Sequence, residues 1–248
     1  MKIAIAGGTG TVGRHTVEAV RSAGHEPVVL ARSTGIDLVT GDGLEAALEG
    51  VDAALDVANL ATLSADDATR FFTTASGNLV AAAGRAGVRH VVLLSIVGID
   101  RMPHQYYAGK LAQERVVEAS AVPWTILRAT QFHEFAGQLF GQAKIGPLHV
   151  APRARVQPIA AREVGEHLVA LATGDAQGRA RDLAGPREEK LEEMVRAFAR
   201  RAGVRGWIPA IPAPGPQMKA MRAGLALPGV DAVTGVETFA QWLARTAA

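Results

Sequence analysis

The stretch Lys2-Ile-Ala-Ile-Ala-Gly-Gly-Thr-Gly-Thr-Val-Gly-Arg-His15 constrains this chain more than any other. A short apolar run passes into a glycine cluster, and a helical pattern follows at once. Ile3 and Ile5 alternate as in a buried strand. Gly7, Gly10 and Gly13 then recur every three residues. The first permits a sharp turn, because it takes a positive φ at little steric cost. The second has no side chain to hold an anion away from the backbone, and the third lets the new helix lie close to the strand. A helix starting near Thr11 offers unpaired N–H groups and the positive end of its dipole.

Strand, glycine turn and helix in that order predict a site for the diphosphate of a dinucleotide in the Rossmann manner, with GxxGxxG spacing in place of GxGxxG. Gly7, Thr9, Gly10, Thr11, Val12 and Gly13 are the candidates for holding it, with Arg14 at the start of the helix.

The chain has 248 residues, enough for one large domain or one and a half, and enough to bury a full core. Hydrophobic residues make up 48% and charged residues 20%, the balance of a soluble globular protein. No apolar run approaches the length of a membrane span, and the chain enters a strand directly, so neither a membrane anchor nor a leader is expected. There is no cysteine, which excludes disulfides, thiolate catalysis and Cys-type zinc sites and fits a cytoplasmic protein. The seven histidines are scattered without metal-ligand spacing, so no metal is expected. A net charge of +2 gives no reason to expect a nucleic-acid partner. The expected partner is a small-molecule substrate, and the chain is expected to be a monomer or a homodimer.

Along the chain, a first helix over residues 11–23 ends at Gly24, and residues 27–31 form a second strand. Arg32 and Ser33 follow, where an acidic residue would hold a ribose 2′-hydroxyl. A cation with a hydroxyl beside it suits a 2′-phosphate, so NADP(H) is expected over NAD(H), with Arg14 helping. Residues 36–40 read as a third strand, although only four residues separate it from the second. Asp42 then falls either at a strand end facing the adenine or at the cap of a helix over residues 44–48. Residues 51–57 read as a fourth strand, followed by Ala58 and Asn59 at the edge of the cofactor cleft. A long helix spans residues 66–86, and Asn78 on its apolar side needs a polar partner. The fifth strand, residues 90–96, is apolar except for Ser95 near its carboxyl end.

The second informative stretch is Gln105-Tyr106-Tyr107-Ala108-Gly109-Lys110. On a helix over residues 105–119, Tyr106 and Lys110 share a face. A phenol ionises near pH ~10, and a cation held nearby lowers that value. Tyr106 as proton donor, Lys110 as the cation that also holds ribose hydroxyls, and Ser95 as a second hydroxyl for the same oxygen form a carbonyl-reduction constellation. Gln113 and Glu114 read as part of the polar face of that helix.

These motifs resemble the short-chain dehydrogenase/reductase superfamily: Gly7-Gly8-Thr9-Gly10-Thr11-Val12-Gly13, the Ser95 strand and Tyr106-x-x-x-Lys110. Pro123-Trp124-Thr125-Ile126-Leu127-Arg128-Ala129-Thr130-Gln131-Phe132 and Val156-Gln157-Pro158-Ile159-Ala160-Ala161-Arg162-Glu163-Val164 are similar to its atypical, NmrA-like branch. The resemblance implies an α/β Rossmann core with a doubly wound parallel sheet, a small C-terminal substrate region and, usually, NADP(H). The boundary is expected near residue 150, with residues 151–248 packed on the core and partly returning to the sheet. The branch also contains members that bind cofactor without turnover. The spacing from Ser95 to Tyr106 is shorter than typical, which leaves Tyr107 open as the inward residue.

After a sixth strand over residues 124–129, Thr130, Gln131, Phe132 and His133 are candidates for the substrate pocket, with a helix cap as the other reading of His133. Pro147 to Pro158 reads as short strands and turns, residues 203–216 as a Gly/Pro-rich loop, and residues 162–172, 188–202 and 236–244 as helices. Met218, Met221, Leu225 and Leu227 are either a mobile apolar lid or core. The expected activity is NADP(H)-dependent reduction of a small, apolar carbonyl, quinone or related acceptor. A non-catalytic NADP-binding sensor is the alternative, and a nucleotide-sugar epimerase a weaker third reading.

Overall fold

Five strands set the frame of the computed structural model, which describes residues 1–145 and 148–246. They are β1 (Lys2–Ala6), β2 (Glu26–Leu30), β3 (Ala53–Asp56), β4 (His90–Ile96) and β5 (Trp124–Ala129). Two-residue strands at Leu183–Ala184 and Val233–Thr234 extend the sheet beyond β5, and Gly178–Arg179 also pairs with β5. Every pairing in this sheet is parallel. β1 lies between β2 and β3, with Ile3 opposite both Pro27 and Ala53. The chain therefore leaves β1 in one direction and returns on its other side, which opens a crevice at the carboxyl ends of β1 and β3.

Both faces of the sheet are covered. On one, Ile3, Ile5, Val92, Leu94 and Leu127 pack against Val17 and Val20 of α1 (Thr11–Ser22) and Val164 and Leu168 of α6 (Ala161–Ala172). On the other, Ala4, Ala6 and Val91 meet Leu79 and Ala82 of α3 (Ala65–Ala86), while Leu93 and Ile126 meet Val117 of α4 (Tyr106–Glu118). Central strands closed on both sides read as unbroken apolar runs, which is why β4 and β5 were legible in sequence. Ser64 caps α3 through the Asp67 N–H, and Gly87 ends it with φ of 73°.

The strand expected at residues 36–40 is absent. A short 3-10 turn (Arg32–Thr34) and a five-residue helix, α2 (Leu44–Leu48), fill the crossover from β2 to β3 instead. The carbonyls of Leu38 and Val39 are taken by the Asn78 side chain at 3.0 and 2.8 Å rather than by a neighbouring strand. Asn78 thus has the backbone partner its position demands. Asp42 is neither at a strand end nor a cap, because α2 starts from Gly43 without a side-chain cap.

The later part of the chain builds a second core beside the carboxyl end of the sheet. Met194 and Val195 of α7 (Leu191–Arg201), Met221 of α8 (Pro216–Arg222), and Phe239 and Trp242 of α9 (Phe239–Arg245) are buried in it, with Ala136 of α5 (Phe135–Gln142). Met218 and Leu225 pack on the same cluster, so with Met221 they are core; Leu227 is not part of it. Short strands Ala151–Pro152 and Ala210–Ile211 pair across it. Pro147, where the short-strand region was expected to start, lies outside the described residues. No helix among the described residues is long and apolar enough to cross a membrane.

Candidate active site

The glycine turn is built by close backbone approach. Gly7 has φ of 79°, and a Cβ there would lie 2.7 Å from Ala58 Cα. A Cβ on Gly13 would lie 2.1 Å from the Gly7 carbonyl oxygen, so only glycine lets α1 start this close to the turn. A Cβ on Gly10 would meet only that same oxygen, at 3.3 Å. Gly10 is the N-cap of α1, with no side-chain cap and no acidic residue in the first turn. An uncapped helix start without negative charge suits a diphosphate. Thr9 and Thr11 lie at this turn, Val12 is buried in the core behind it, and Ala58 closes against Gly7 with Asn59 next in the chain.

Arg32 and Ser33 are exposed in the 3-10 turn directly after β2. Arg14 lines a cleft of about 410 Å³ with Glu134, Ala161, Arg162, Trp242 and Arg245, and none of Tyr106, Tyr107 or Lys110 borders that cleft.

Tyr106 opens α4, and its hydroxyl donates to Asn59 Oδ1 at 2.7 Å. Its ring meets Phe72 edge-on at 5.4 Å. Burial pushes the phenol up, and Tyr107 and Asp56 add to the shift. Lys110, one turn on, is 4% exposed. Its ammonium donates to the Leu94 carbonyl at 2.7 Å and to Gln113 Oε1 at 2.5 Å, and lies 4.8 Å from the centre of the Phe72 ring. Burial lowers Lys110 to about 8, against the pull of Asp56 and Glu114.

Ser95 faces α4, as Leu93 does, but meets it at Glu114, a turn beyond Lys110. Its buried Oγ approaches that carboxylate without making a bond of good geometry, whereas the Tyr106 hydroxyl is given to Asn59. Glu114 is clamped by Arg128 Nε and Nη2 at 2.9 and 2.8 Å and by Arg179 at 2.9 Å. Gln113 and Glu114 are both fully buried, contrary to their reading as a polar surface, because α4 is enclosed by α3, β4 and these side chains.

Tyr107 points to the other side, into the second core. Burial pushes its phenol up, and the nearby amides of Gln131 and Gln217 act in the opposite direction. Both polar atoms of the 9%-exposed Gln131 amide, and Oε1 of Gln217, are buried without a partner of good geometry. Thr130 donates to the Gln157 carbonyl at 2.5 Å, and Phe132 bridges to Ile159. His133 is not a pocket residue. It is fully buried, bonded through Nε2 to the Glu237 carbonyl at 3.0 Å and packed against Phe239 and Trp242. Among the described residues no cluster of three or more His, Asp or Glu is placed to hold a metal ion.

Residues 7–173 match the sequence pattern of a family described as NAD(P)H-binding. The chain belongs to the NAD(P)H-binding family. That family fits the resemblance to atypical short-chain dehydrogenases/reductases carried by the glycine turn and Tyr106-x-x-x-Lys110. It is 30% identical over 221 residues to the (4-alkanoyl-5-oxo-2,5-dihydrofuran-3-yl)methyl phosphate reductase of Streptomyces griseus, covering 81% of this chain and 74% of that one. Its fold is similar to a nucleoside-diphosphate-sugar epimerase from Staphylococcus aureus (TM-score 0.71, 16% identity, 98% and 99% coverage). It is also similar to an NADPH-dependent quinone oxidoreductase from Escherichia coli (TM-score 0.67, 15% identity, 98% of both chains). An NAD(P)H-binding oxidoreductase is the class these likenesses support.

Proposed function

We propose that this protein is an NADP(H)-dependent reductase of a small, largely apolar carbonyl, quinone or related acceptor. The observation that carries the reading is the pairing of an uncapped, glycine-built start of α1 with the Tyr106–Asn59 contact across the same crevice. Backbone amides from Gly10 to Gly13 hold the diphosphate, and exposed Arg32 with Ser33 receives the 2′-phosphate. Reduced nicotinamide supplies the hydride when bound. Tyr106 holds the proton that the substrate oxygen receives, and Lys110 fixes the local charge beside it. The region from residue 151 on is the substrate-binding part. Gln217 of that region, with Tyr107 and Gln131 from the core, forms a polar spot in an apolar surround, which suits a carbonyl oxygen on an apolar body. A reductase of an alkanoyl-bearing dihydrofuran as a 30% identical relative supports that class of acceptor.

A second reading, a non-catalytic NADP-binding sensor, is favoured by one observation: two of the three Lys110 N–H groups are spent on interior acceptors. NADPH oxidation over a panel of quinones, aldehydes and enones separates the two. The reductase reading expects turnover that falls sharply in Tyr106→Phe. Tight NADPH binding with no turnover on any member contradicts it.

A further inference from the structure

We propose that Gln113 is a positioning residue that sets the orientation of the Lys110 ammonium by tying it to the Asp56 carboxylate. Its value to the reaction rests on the reading of Lys110 as part of the site. The geometry itself does not.

The amide of Gln113 is fully buried and every group around it is directional. Its Nε2 donates to Asp56 Oδ2 at 3.0 Å and to Ser76 Oγ at 2.7 Å, while its Oε1 accepts from Lys110 at 2.5 Å. The Ser76 hydroxyl in turn donates to Asp56 Oδ2 at 2.5 Å. A carboxylate only accepts and an ammonium only donates. Turned over, the amide would set its oxygen against Asp56 and its NH2 against Lys110, two repulsive contacts in a buried place. The amide therefore has one orientation, and it reads Asp56 on one side and Lys110 on the other.

Asp56 is the hub. Its Oδ1 accepts the Ala58 N–H at 3.1 Å, and Ala58 is the residue against which the Gly7 turn closes. The same carboxylate thus bears on the glycine turn, on the backbone leading to Asn59 and, through Gln113, on Lys110. The groups facing the ammonium are Leu94 from β4, Gln113 and Glu114 from α4, Phe72 from α3 and, through Gln113, Asp56 from β3. Two N–H groups of Lys110 are committed among the described residues, which leaves the third for the site.

The test is an NMR titration of the Lys110 side chain, labelled at Cε and Nζ, in the full-length protein without nucleotide. In the wild type, the ammonium should give a slowly exchanging NH3⁺ resonance and titrate below an ordinary lysine. Gln113→Met should lower its midpoint by at least about one pH unit, since an acceptor of the charged form is lost. Gln113→Glu, which keeps that acceptor and adds charge, should raise it. If turnover is found, the limb of the kcat profile set by Lys110 should move with the NMR midpoint, with KM for NADPH changed less than kcat. A wild-type ammonium in fast exchange, or midpoints that coincide in wild type and Gln113→Glu, overturns the proposal. Because the titration needs no turnover, its failure is distinct from failure of the reductase reading.

Discussion

The Tyr106 hydroxyl donates to Asn59 Oδ1 at 2.7 Å and so ties the first turn of α4 to the loop after β3. If this phenol delivers the proton, Tyr106→Phe should lower kcat by about 10²-fold or more, the usual range for a general acid, with NADPH affinity within about threefold of wild type. Tyr107→Phe should act instead on the KM for the acceptor. Steady-state kinetics on the two variants check this, and equal kcat losses in both would refute the division of labour.

Arg32 is exposed in the turn just after β2 and pairs with no acidic side chain among the described residues. Charge-assisted hydrogen bonds contribute about 1.5–3 kcal/mol, so Arg32→Asp should weaken NADPH binding by about 10- to 100-fold and leave NADH nearly unchanged. Paired calorimetric titrations read this directly. Similar losses for both nucleotides would mean that Arg32 does not hold the 2′-phosphate.

The two glycines of the turn predict opposite phenotypes. Gly13→Ala forces a methyl to 2.1 Å from the Gly7 oxygen, and should cost several kcal/mol, about the upper range for a single substitution. Gly10→Ala meets only a 3.3 Å contact and should fold, while binding nucleotide less tightly if, as proposed, the diphosphate lies against this glycine. Thermal melts with and without NADPH separate these effects. A Gly10→Ala protein with undiminished NADPH stabilisation would place the diphosphate elsewhere.

Lys110 is held near 8, below the ordinary lysine value of 10.5. Between those values the unfolded chain binds more protons than the folded one, so the group's contribution to stability rises with pH through that window. The stability of the wild type relative to Lys110→Met should therefore increase from about pH 8 to about pH 10.5, by a few kcal/mol at most. Denaturant titrations at several pH values test the sign, and a difference that is flat or falls with pH contradicts the assignment.

The sheet was largely legible because its central strands carry local signals. Ile3 and Ile5 before Gly7, and the apolar runs of β4 and β5, need no partner to be recognised. The crossover at residues 36–40 was not legible, because what holds Leu38 and Val39 is Asn78, forty residues away in sequence. Gln113 and Glu114 misled for a related reason: buried polar groups and surface polar groups look alike until Asp56, Ser76 and Arg128 are placed beside them. His133 carries the residue type of a catalytic group, yet the turn before α9 claims its ring. Gln217 gave no local signal, since α8 is drawn against Tyr107 and Met102 only by the tertiary fold.

Calorimetric titration of the wild-type protein with NADPH bears most directly on the central claim. One NADPH should bind per chain, more tightly than NADH, and the binding should weaken in Gly10→Ala. No heat and no displacement of a fluorescent nucleotide by either cofactor, up to about 1 mM (an affinity weaker than ~4 kcal/mol), would contradict it.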